Sequence, residues 1–354
     1  MNVYINGRFL SEPLTGVGRY SLEVVRAIDA MVGKGECEFK FFLIVSDDCG
    51  VALKNIKIIK KRIDSDFREQ ILLPFYTRDG YLINLSSRAP LLKKRQLLVI
   101  HDAHIVMCPE MYSFGYRFFW SMLYRIFGKT LHNIATVSNF SKELIHGCFK
   151  ISRDKIRVTG EGYEHIFRYE KDDTVFEKFG IERKKYILLV GGSRNKNFEL
   201  VMKAVRGNQF TDKVVIAGSI DDEYKTELEE YSQVNILGYV SNEMLVSLYA
   251  NAKCFIFPSV MEGFGIPPLE AMALGCLTVV SNTSSMPEVC GKSVLYCNQN
   301  DSDGLLKLLQ LIDTNYNSIY DEKLPMMKGN LKRFSWHKTA KCIIDTVKKD
   351  LDYK

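Results

Sequence analysis

The sequence predicts an α/β protein built from two doubly wound parallel sheets. Apolar runs of strand length alternate with helix-like stretches along all 354 residues, and this alternation is typical of parallel sheets covered by helices. The strand-like runs form two series, and the length suggests two domains of roughly 150–180 residues each. We therefore expect one domain over residues 1–168, a second over 169–333 and a last helix over 334–354.

The two series of predicted strands are separated by a charged, apolar-poor stretch, 167–185, which we interpret as the linker region. The first series comprises 3–5, 39–45, 56–60, 81–85, 97–101, 133–137 and 156–159. The second comprises 186–190, 213–217, 234–237, 254–257, 277–280 and 294–296. The chain ends in an amphipathic stretch that predicts a helix starting near Ser335.

Composition narrows the class of protein. Apolar residues make up 46% and charged residues 25%, as in soluble globular proteins. No apolar run reaches the roughly 18 residues of a membrane span, and the start does not resemble a signal peptide. The nine cysteines lack metal-type spacing, which predicts free thiols in the cytoplasm. A net charge of +6 permits an anionic partner without selecting one.

One segment of the first half, 112–129, interleaves aromatic residues with Arg117, Arg125 and Lys129. A helix of this composition suits a membrane interface. A buried helix with arginines that reach out to solvent explains the same pattern. The sequence leaves both interpretations open.

The most informative motif is EGFGIPPLEAMALG, residues 262–275, which lies between a predicted strand and a predicted helix. The glycines Gly263 and Gly265 and the following helix start offer backbone N–H groups and a positive dipole, which favour a phosphate. A diphosphate repels Glu262 and Glu270, and these carboxylates suit hydroxyl groups instead. A phosphate site with a hydroxyl-binding glutamate on each side predicts a nucleotide sugar as ligand.

This segment resembles the signature of the retaining GT-B glycosyltransferases of family 4, and the resemblance extends over nearly the whole chain. It implies two Rossmann-like domains facing a central cleft, with the last helix crossing back to the first domain. It also implies transfer of a hexose from a nucleotide-sugar donor bound by the second domain to an acceptor bound by the first. Similarity to mannosyltransferase-like members makes GDP-mannose the first choice of donor, and a UDP- or dTDP-sugar stays open.

Within the motif, we expect Glu262 and the backbone of Gly263, Phe264 and Gly265 to orient the sugar, and Glu270 to hold the ribose hydroxyls. A second loop, residues 191–197, contributes Arg194 and Lys196 as cations for the departing diphosphate. Lys196 matches the family's usual lysine well.

Two further positions lie in the first half of the chain. His101 ends a predicted strand, where a histidine can donate a hydrogen bond to a sugar hydroxyl and to developing charge. The resemblance places it against the donor sugar. Gly16 and Gly18 precede the first helix, where they let a ligand approach the backbone. The resemblance places this loop near the donor phosphates.

Two acidic triplets, 64–66 and 301–303, have the DxD spacing that holds a metal in other glycosyltransferases. Asp and Ser are ordinary residues at helix starts, and we interpret both triplets as caps. We therefore expect no metal and no other cofactor.

The resemblance also implies a lipid-linked glycan acceptor in bacterial O-antigen or capsule assembly. We expect peripheral association with the cytoplasmic face of the inner membrane and no nucleic-acid partner. Two alternatives stay open: a nucleotide-sugar 2-epimerase of similar fold, which needs no acceptor, and a non-catalytic glycan- or lipid-binding member.

Overall fold

A computed structural model describes residues 1–13, 15–46, 50–206 and 212–352. The chain divides into two compact units, Met1–Gly162 with Ser335–Lys354, and Tyr163–Phe334. The sequence predicts these divisions after residues 168 and 333, whereas the structure has them after Gly162 and Phe334. Among the described helices, none has the length and apolar content needed to cross a bilayer.

The first unit contains a seven-stranded sheet of order β3-β2-β1-β4-β5-β6-β7, in which all neighbours are parallel. Its strands are β1 Asn2–Asn6, β2 Lys40–Val45, β3 Lys57–Lys60, β4 Tyr81–Asn84, β5 Gln96–Val99, β6 Ile134–Thr136 and β7 Ile156–Val158. Its helices before the unit boundary are α1 Gly16–Gly33, α2 Asp66–Tyr76, α3 His104–Met107, α4 Phe114–Thr130 and α5 Asn139–Phe149.

The strand order assigns the helices of this unit to the two faces of its sheet. The connection through α1 runs from β1 to β2, in one direction along the sheet, and those through α2, α4 and α5 run in the other. Because crossovers between parallel strands are right-handed, α1 covers one face, and α2, α4 and α5 cover the opposite face.

The second unit contains a six-stranded sheet of order β10-β9-β8-β11-β12-β13, again with parallel neighbours only. Its strands are β8 Tyr186–Val190, β9 Lys213–Ala217, β10 Val234–Gly238, β11 Cys254–Phe257, β12 Leu277–Ser281 and β13 Leu295–Cys297. Its helices are α6 Thr174–Phe179, α7 Phe198–Val205, α8 Asp222–Glu229, α9 Asn242–Asn251, α10 Ile266–Ala273, α11 Met286–Cys290 and α12 Ser302–Leu331. The two parallel α/β sheets confirm the predicted fold class.

The last helix, α13 Trp336–Asp352, packs against α1 in the first unit. Its buried face includes Trp336, whose ring lies edge-on to Tyr20 with 6.0 Å between ring centroids. Near its end, Asp350 accepts hydrogen bonds from the Tyr81 hydroxyl and the Asn133 amide. The predicted return of the last helix to the first domain is therefore present.

The interpretation of 167–185 as a linker is wrong, because this stretch belongs to the second unit. It contains α6, whose Val175 and Phe176 are buried, and the Asp172 N–H donates to the Glu243 carbonyl at 3.2 Å. Val175, Phe176 and Ile181 of this stretch are thus packed inside the unit, although Phe167 is exposed.

Candidate active site

The second sheet reverses its strand order between β8 and β11, and the loops after these two neighbouring strands meet there. Open α/β sheets bind ligands at such switch points, beyond the carboxyl ends of the strands. The Val260 N–H donates to the Asn195 carbonyl at 2.9 Å, and the Asn195 amide donates to the Met261 carbonyl at 3.3 Å. One backbone and one side-chain hydrogen bond therefore fix the two predicted binding loops against each other.

The loop after β8 depends on glycine because the chain runs close to the loop after β9. A Cβ atom on Gly192 would lie 1.7 Å from the Ser219 carbonyl oxygen. Any side chain here would push these two backbones apart, so a glycine at position 192 is needed for the loop to have this path.

Lys196 and Glu262, the main predicted residues of the two loops, form an ion pair with 2.6 Å between Nζ and Oε1. The ammonium also lies 4.6 Å from the centroid of the Phe257 ring. Both side chains are mostly buried, with 18% and 15% of their surface exposed. The pair places one cation and one carboxylate together at the end of β11, and their predicted roles toward the diphosphate and the sugar stay predictions.

Arg194, the second predicted diphosphate cation, faces away from this pair. Its guanidinium makes two hydrogen bonds to the Glu227 carboxylate, at 3.0 and 2.9 Å, and lies 4.8 Å from the centroid of the Tyr224 ring. Both partners belong to α8. The structure therefore brings Lys196, but not Arg194, to Glu262.

The glycine loop after β11 is held by hydrogen bonds to the loop after β12. The Glu262 N–H donates to the Ser284 hydroxyl at 3.2 Å. The Ser285 hydroxyl in turn donates to the carbonyls of Glu262 and Phe264, at 3.0 and 2.9 Å. Sequence inspection missed both serines, since a support formed across two loops leaves no local pattern.

Gly265 and Phe264 complete this loop in different ways. Gly265 has a φ of 101°, in the region that L-residues rarely adopt, and a Cβ there would lie 2.4 Å from the Met286 methyl carbon. The Phe264 side chain is buried, edge-on to Phe334 at 5.5 Å between ring centroids. The Phe264 side chain therefore belongs to the core, and contact of its backbone with the sugar stays a prediction.

The first turn of α10 follows Gly265 directly and begins Ile266-Pro267-Pro268. The first N–H groups of a helix have no acceptor within the helix, and they favour an anion. Two of these first positions are prolines, which donate nothing. The anion-binding capacity of this end therefore depends on the N–H groups around Gly265 and Ile266 and on nearby Lys196.

Glu270 lies one turn further along α10, where it is held by two buried side chains. Its Oε1 accepts from His165 Nε2 at 2.7 Å, and its Oε2 accepts from the Tyr249 hydroxyl at 3.2 Å. Burial, together with this carboxylate, raises the pKa of Tyr249 well above its ordinary value, so the hydroxyl stays a donor. The sequence predicted Glu270 and missed both of its partners.

In the first unit, His101 follows β5 and is buried, with its ring edge-on to Tyr20 at 4.7 Å between centroids. Its Nε2 lies 2.8 Å from the Leu85 carbonyl oxygen, which can only accept, so Nε2 carries the hydrogen. Burial lowers the pKa of His101 and favours the neutral ring. Nδ1 of this neutral ring is then a hydrogen-bond acceptor, whereas the sequence predicted that His101 donates a hydrogen bond to a sugar hydroxyl. Contact of His101 with the donor sugar stays a prediction.

Gly16 and Gly18 lie in the first turn of α1, which Thr15 caps by accepting from the Gly18 N–H at 3.2 Å. A Cβ on Gly16 would meet nothing within 4 Å, so this position is open to a ligand. The loop before it includes Leu14, which lies outside the described residues. The predicted donor contact of these glycines is untested.

Both acidic triplets lie at helix starts. Asp301 accepts from the Gly304 N–H at 2.8 Å and caps α12. Ser65 caps α2, while Asp64 pairs with Arg68 at 2.6 Å. Within the described part of the chain, no group of three or more His, Cys, Asp or Glu side chains could hold a metal ion.

Known proteins match this chain at two levels: a family model matches the second unit, and a relative matches nearly the whole chain. Residues 171–323, which cover most of the second unit, match the family model described as Glycosyl transferases group 1. O-antigen chain mannosyltransferase B of Escherichia coli is 28% identical in a match that covers 95% of this chain and 96% of that protein. The chain is a glycosyltransferase of the GT-B fold.

A second relative in sequence and a solved structure are also similar to this glycosyltransferase. O-antigen chain mannosyltransferase RfbU of Salmonella typhimurium is 29% identical over 68% of this chain and 70% of its own length. A glycosyltransferase structure from Rickettsia africae covers 100% of this chain and 99% of its own, with a TM-score of 0.75 at 16% identity. The structural likeness concerns the fold alone.

Proposed function

We propose that this glycosyltransferase transfers mannose from GDP-mannose to a lipid-linked glycan in bacterial O-antigen or capsule assembly. The observation that carries the proposal is the match to O-antigen chain mannosyltransferase B over 95% of this chain and 96% of that relative. The second relative has the same activity in its name. We further propose that it works at the cytoplasmic face of the inner membrane as a peripheral protein, without nucleic acid.

In this proposal the donor diphosphate lies beside Lys196 and the N-terminal end of α10. A preorganised cation and N–H groups stabilise the negative charge that develops on the departing diphosphate. The diphosphate competes with Glu262 for the Lys196 ammonium, 2.6 Å from the carboxylate here. Glu262 then accepts hydrogen bonds from sugar hydroxyls, while Glu270 accepts them from the ribose.

The transfer proceeds with retention and without a metal. The bond between sugar C1 and the diphosphate oxygen breaks, and a bond from C1 to the acceptor hydroxyl oxygen forms on the same face. The hydroxyl proton passes to the departing phosphate oxygen. The protein's contribution is to position both substrates and neutralise the leaving group, with no carboxylate assigned as nucleophile.

The test is a donor panel of GDP-mannose, UDP-hexoses and dTDP-hexoses, each with EDTA and with or without a lipid-linked glycan acceptor. We expect release of GDP and labelling of the acceptor only when GDP-mannose and acceptor are both present. Lys196→Ala lowers kcat by about 100-fold or more, since one charge-stabilising group is lost. The matched control is Lys203→Ala, which removes an exposed lysine of nearby α7.

Other outcomes contradict separate parts of this proposal. Consumption of a UDP- or dTDP-sugar contradicts the proposed donor, and conversion of a nucleotide sugar without acceptor indicates a 2-epimerase. Activity that is lost in EDTA and restored by Mg²⁺ contradicts metal independence. Full turnover by the Lys196→Ala variant contradicts the proposed leaving-group site.

A further inference from the structure

Helix α4 presents an apolar row and a basic row side by side. Phe114, Phe118 and Met122 follow one another at four-residue spacing, share one helix face and are 79%, 62% and 44% exposed. Arg117 and Arg125 belong to the adjacent row. Both rows line one cavity of about 340 Å³, together with side chains of α3 and α5.

The two arginines of this cavity have few hydrogen-bond partners among the described residues. The Arg117 Nε atom is buried, and among the described residues it has no hydrogen-bond acceptor. The Arg125 guanidinium makes a long contact, 3.5 Å, with the Cys148 carbonyl. A buried donor without an acceptor is unfavourable. An anion in the cavity would supply the acceptor that Arg117 lacks and a counter-charge for both side chains.

A second apolar row covers α2 on the same face of the sheet. Phe67, Ile71 and Phe75 again have four-residue spacing and are 73%, 50% and 60% exposed. Leu92, in the loop between β4 and β5, is 81% exposed, and the Arg78 guanidinium lies 5.0 Å from the centroid of the Phe75 ring. Large apolar side chains with neighbouring cations therefore occur on two helices of one face.

We propose that this face of the first unit docks on an anionic lipid surface. The apolar row of α4 inserts among the acyl chains, and Arg117 and Arg125 bind lipid phosphate groups at the cavity. Charge complementarity selects this occupant, because exposed aromatic residues combined with arginines that have no carboxylate partner among the described residues suit the headgroup boundary of an anionic bilayer. The inference rests on the proposed function only in the choice of a membrane that carries the acceptor.

The test is co-sedimentation of the full chain with vesicles of phosphatidylglycerol and phosphatidylethanolamine, compared with vesicles of phosphatidylcholine alone. We expect binding to the anionic vesicles that weakens as salt rises. The double variant Phe114→Ser/Phe118→Ser lowers vesicle affinity at least about tenfold, since two inserted rings are lost. Arg117→Gln and Arg125→Gln each lower it about fivefold and reduce the salt dependence.

Matched controls come from the second unit. Leu311→Ser and Arg183→Gln change an exposed apolar and an exposed basic side chain there, and they leave vesicle affinity unchanged. Circular dichroism of every variant establishes that it is folded. Equal binding to neutral vesicles, no binding to anionic vesicles, or α4 variants that bind as the wild type each overturn the inference.

Nucleotide binding in the absence of vesicles separates this inference from the proposed function. Calorimetric titration with GDP-mannose needs no membrane, and the α4 variants should bind the donor as the wild type does. Donor binding without vesicle binding overturns the lipid surface alone. Vesicle binding without donor binding overturns the proposed donor and supports the lipid surface.

Discussion

Glu270 shows how the orientation of one side chain depends on residues far apart in sequence. Two of its hydrogen-bond donors, His165 and Tyr249, are separated from it by 105 and 21 positions. His165 is fully buried and lies in the short helical turn Glu164–Arg168, just after the unit boundary. We infer that His165 is a positioning residue, which fixes the carboxylate that we assign to the ribose.

Replacement of His165 tests this role. His165→Ala leaves Glu270 without its shorter hydrogen bond, so we expect the donor KM to rise about tenfold, the equivalent of one hydrogen bond to a charged group. The kcat should change little, because ribose contacts are similar in the ground and transition states. Steady-state kinetics with the donor varied measures both values.

Two further variants separate positioning from a general loss of stability. His165→Gln keeps an N–H donor at a similar reach and should recover most of the donor affinity, whereas a purely structural defect would not be repaired this way. Tyr249→Phe removes the longer bond and should give a smaller rise in KM. An unchanged KM in the His165→Ala variant would show that Glu270 needs no such support.

At the residue scale, sequence reasoning identified two loops whose side chains the structure brings together, while the roles of these side chains stay predictions. Lys196 and Glu262 were predicted from loops at strand ends, and the structure pairs them. Arg194 belongs to the same loop as Lys196, yet it pairs with Glu227, because the direction of a long side chain depends on neighbours in space. For His165, the sequence near position 165 contains no sign of a partner on α10.

At the scale of elements, the loop between β11 and α10 depends on its backbone conformation as much as on its side chains. Gly265→Ala puts a Cβ at a φ of 101° and within 2.4 Å of Met286. The left-handed conformation alone costs an L-residue about 1–2 kcal/mol. We expect a lower melting temperature and a fall in kcat, because the shifted loop displaces Glu262 from the position where it would bind the donor sugar.

Gly147→Ala is the matched control for this substitution. Gly147 lies inside α5, and a Cβ there meets nothing within 4 Å. Alanine in a helix is favoured over glycine by up to about 1 kcal/mol, so this variant should be as stable as the wild type or more so. Thermal unfolding and turnover of the two variants are compared; equal behaviour would show that Gly265 tolerates a side chain.

Most elements were predictable because buried parallel strands are continuous apolar runs, and each predicted strand overlaps an observed one. The composition of α4 did not decide whether the helix is buried or exposed, because one face is buried and the other is exposed. Leu123, Tyr124 and Phe127 are buried, while the apolar row from Phe114 to Met122 is exposed. The three-dimensional neighbours of a helix, which a single sequence does not give, determine which aromatic residues belong to the core.

At the scale of the whole molecule, the two units can be followed by separate signals. The chain has two tryptophans, Trp120 and Trp336, and both belong to the first unit. Tryptophan fluorescence therefore reports unfolding of the first unit, whereas far-UV circular dichroism includes helices of both. The final helix belongs to the first unit in space although it follows the second in sequence. The two signals can therefore test which unit this helix stabilises.

Ile343→Ala in α13 and Ile312→Ala in α12 test this assignment, since both side chains are fully buried. An Ile→Ala change in a core costs about 2–5 kcal/mol. In urea unfolding, Ile343→Ala should lower the midpoint seen by tryptophan fluorescence. Ile312→Ala should leave that midpoint in place and lower the part of the circular dichroism transition that fluorescence does not report. If each substitution shifts both signals equally, the chain unfolds as one cooperative unit, and α13 cannot then be assigned to the first unit by its energetics.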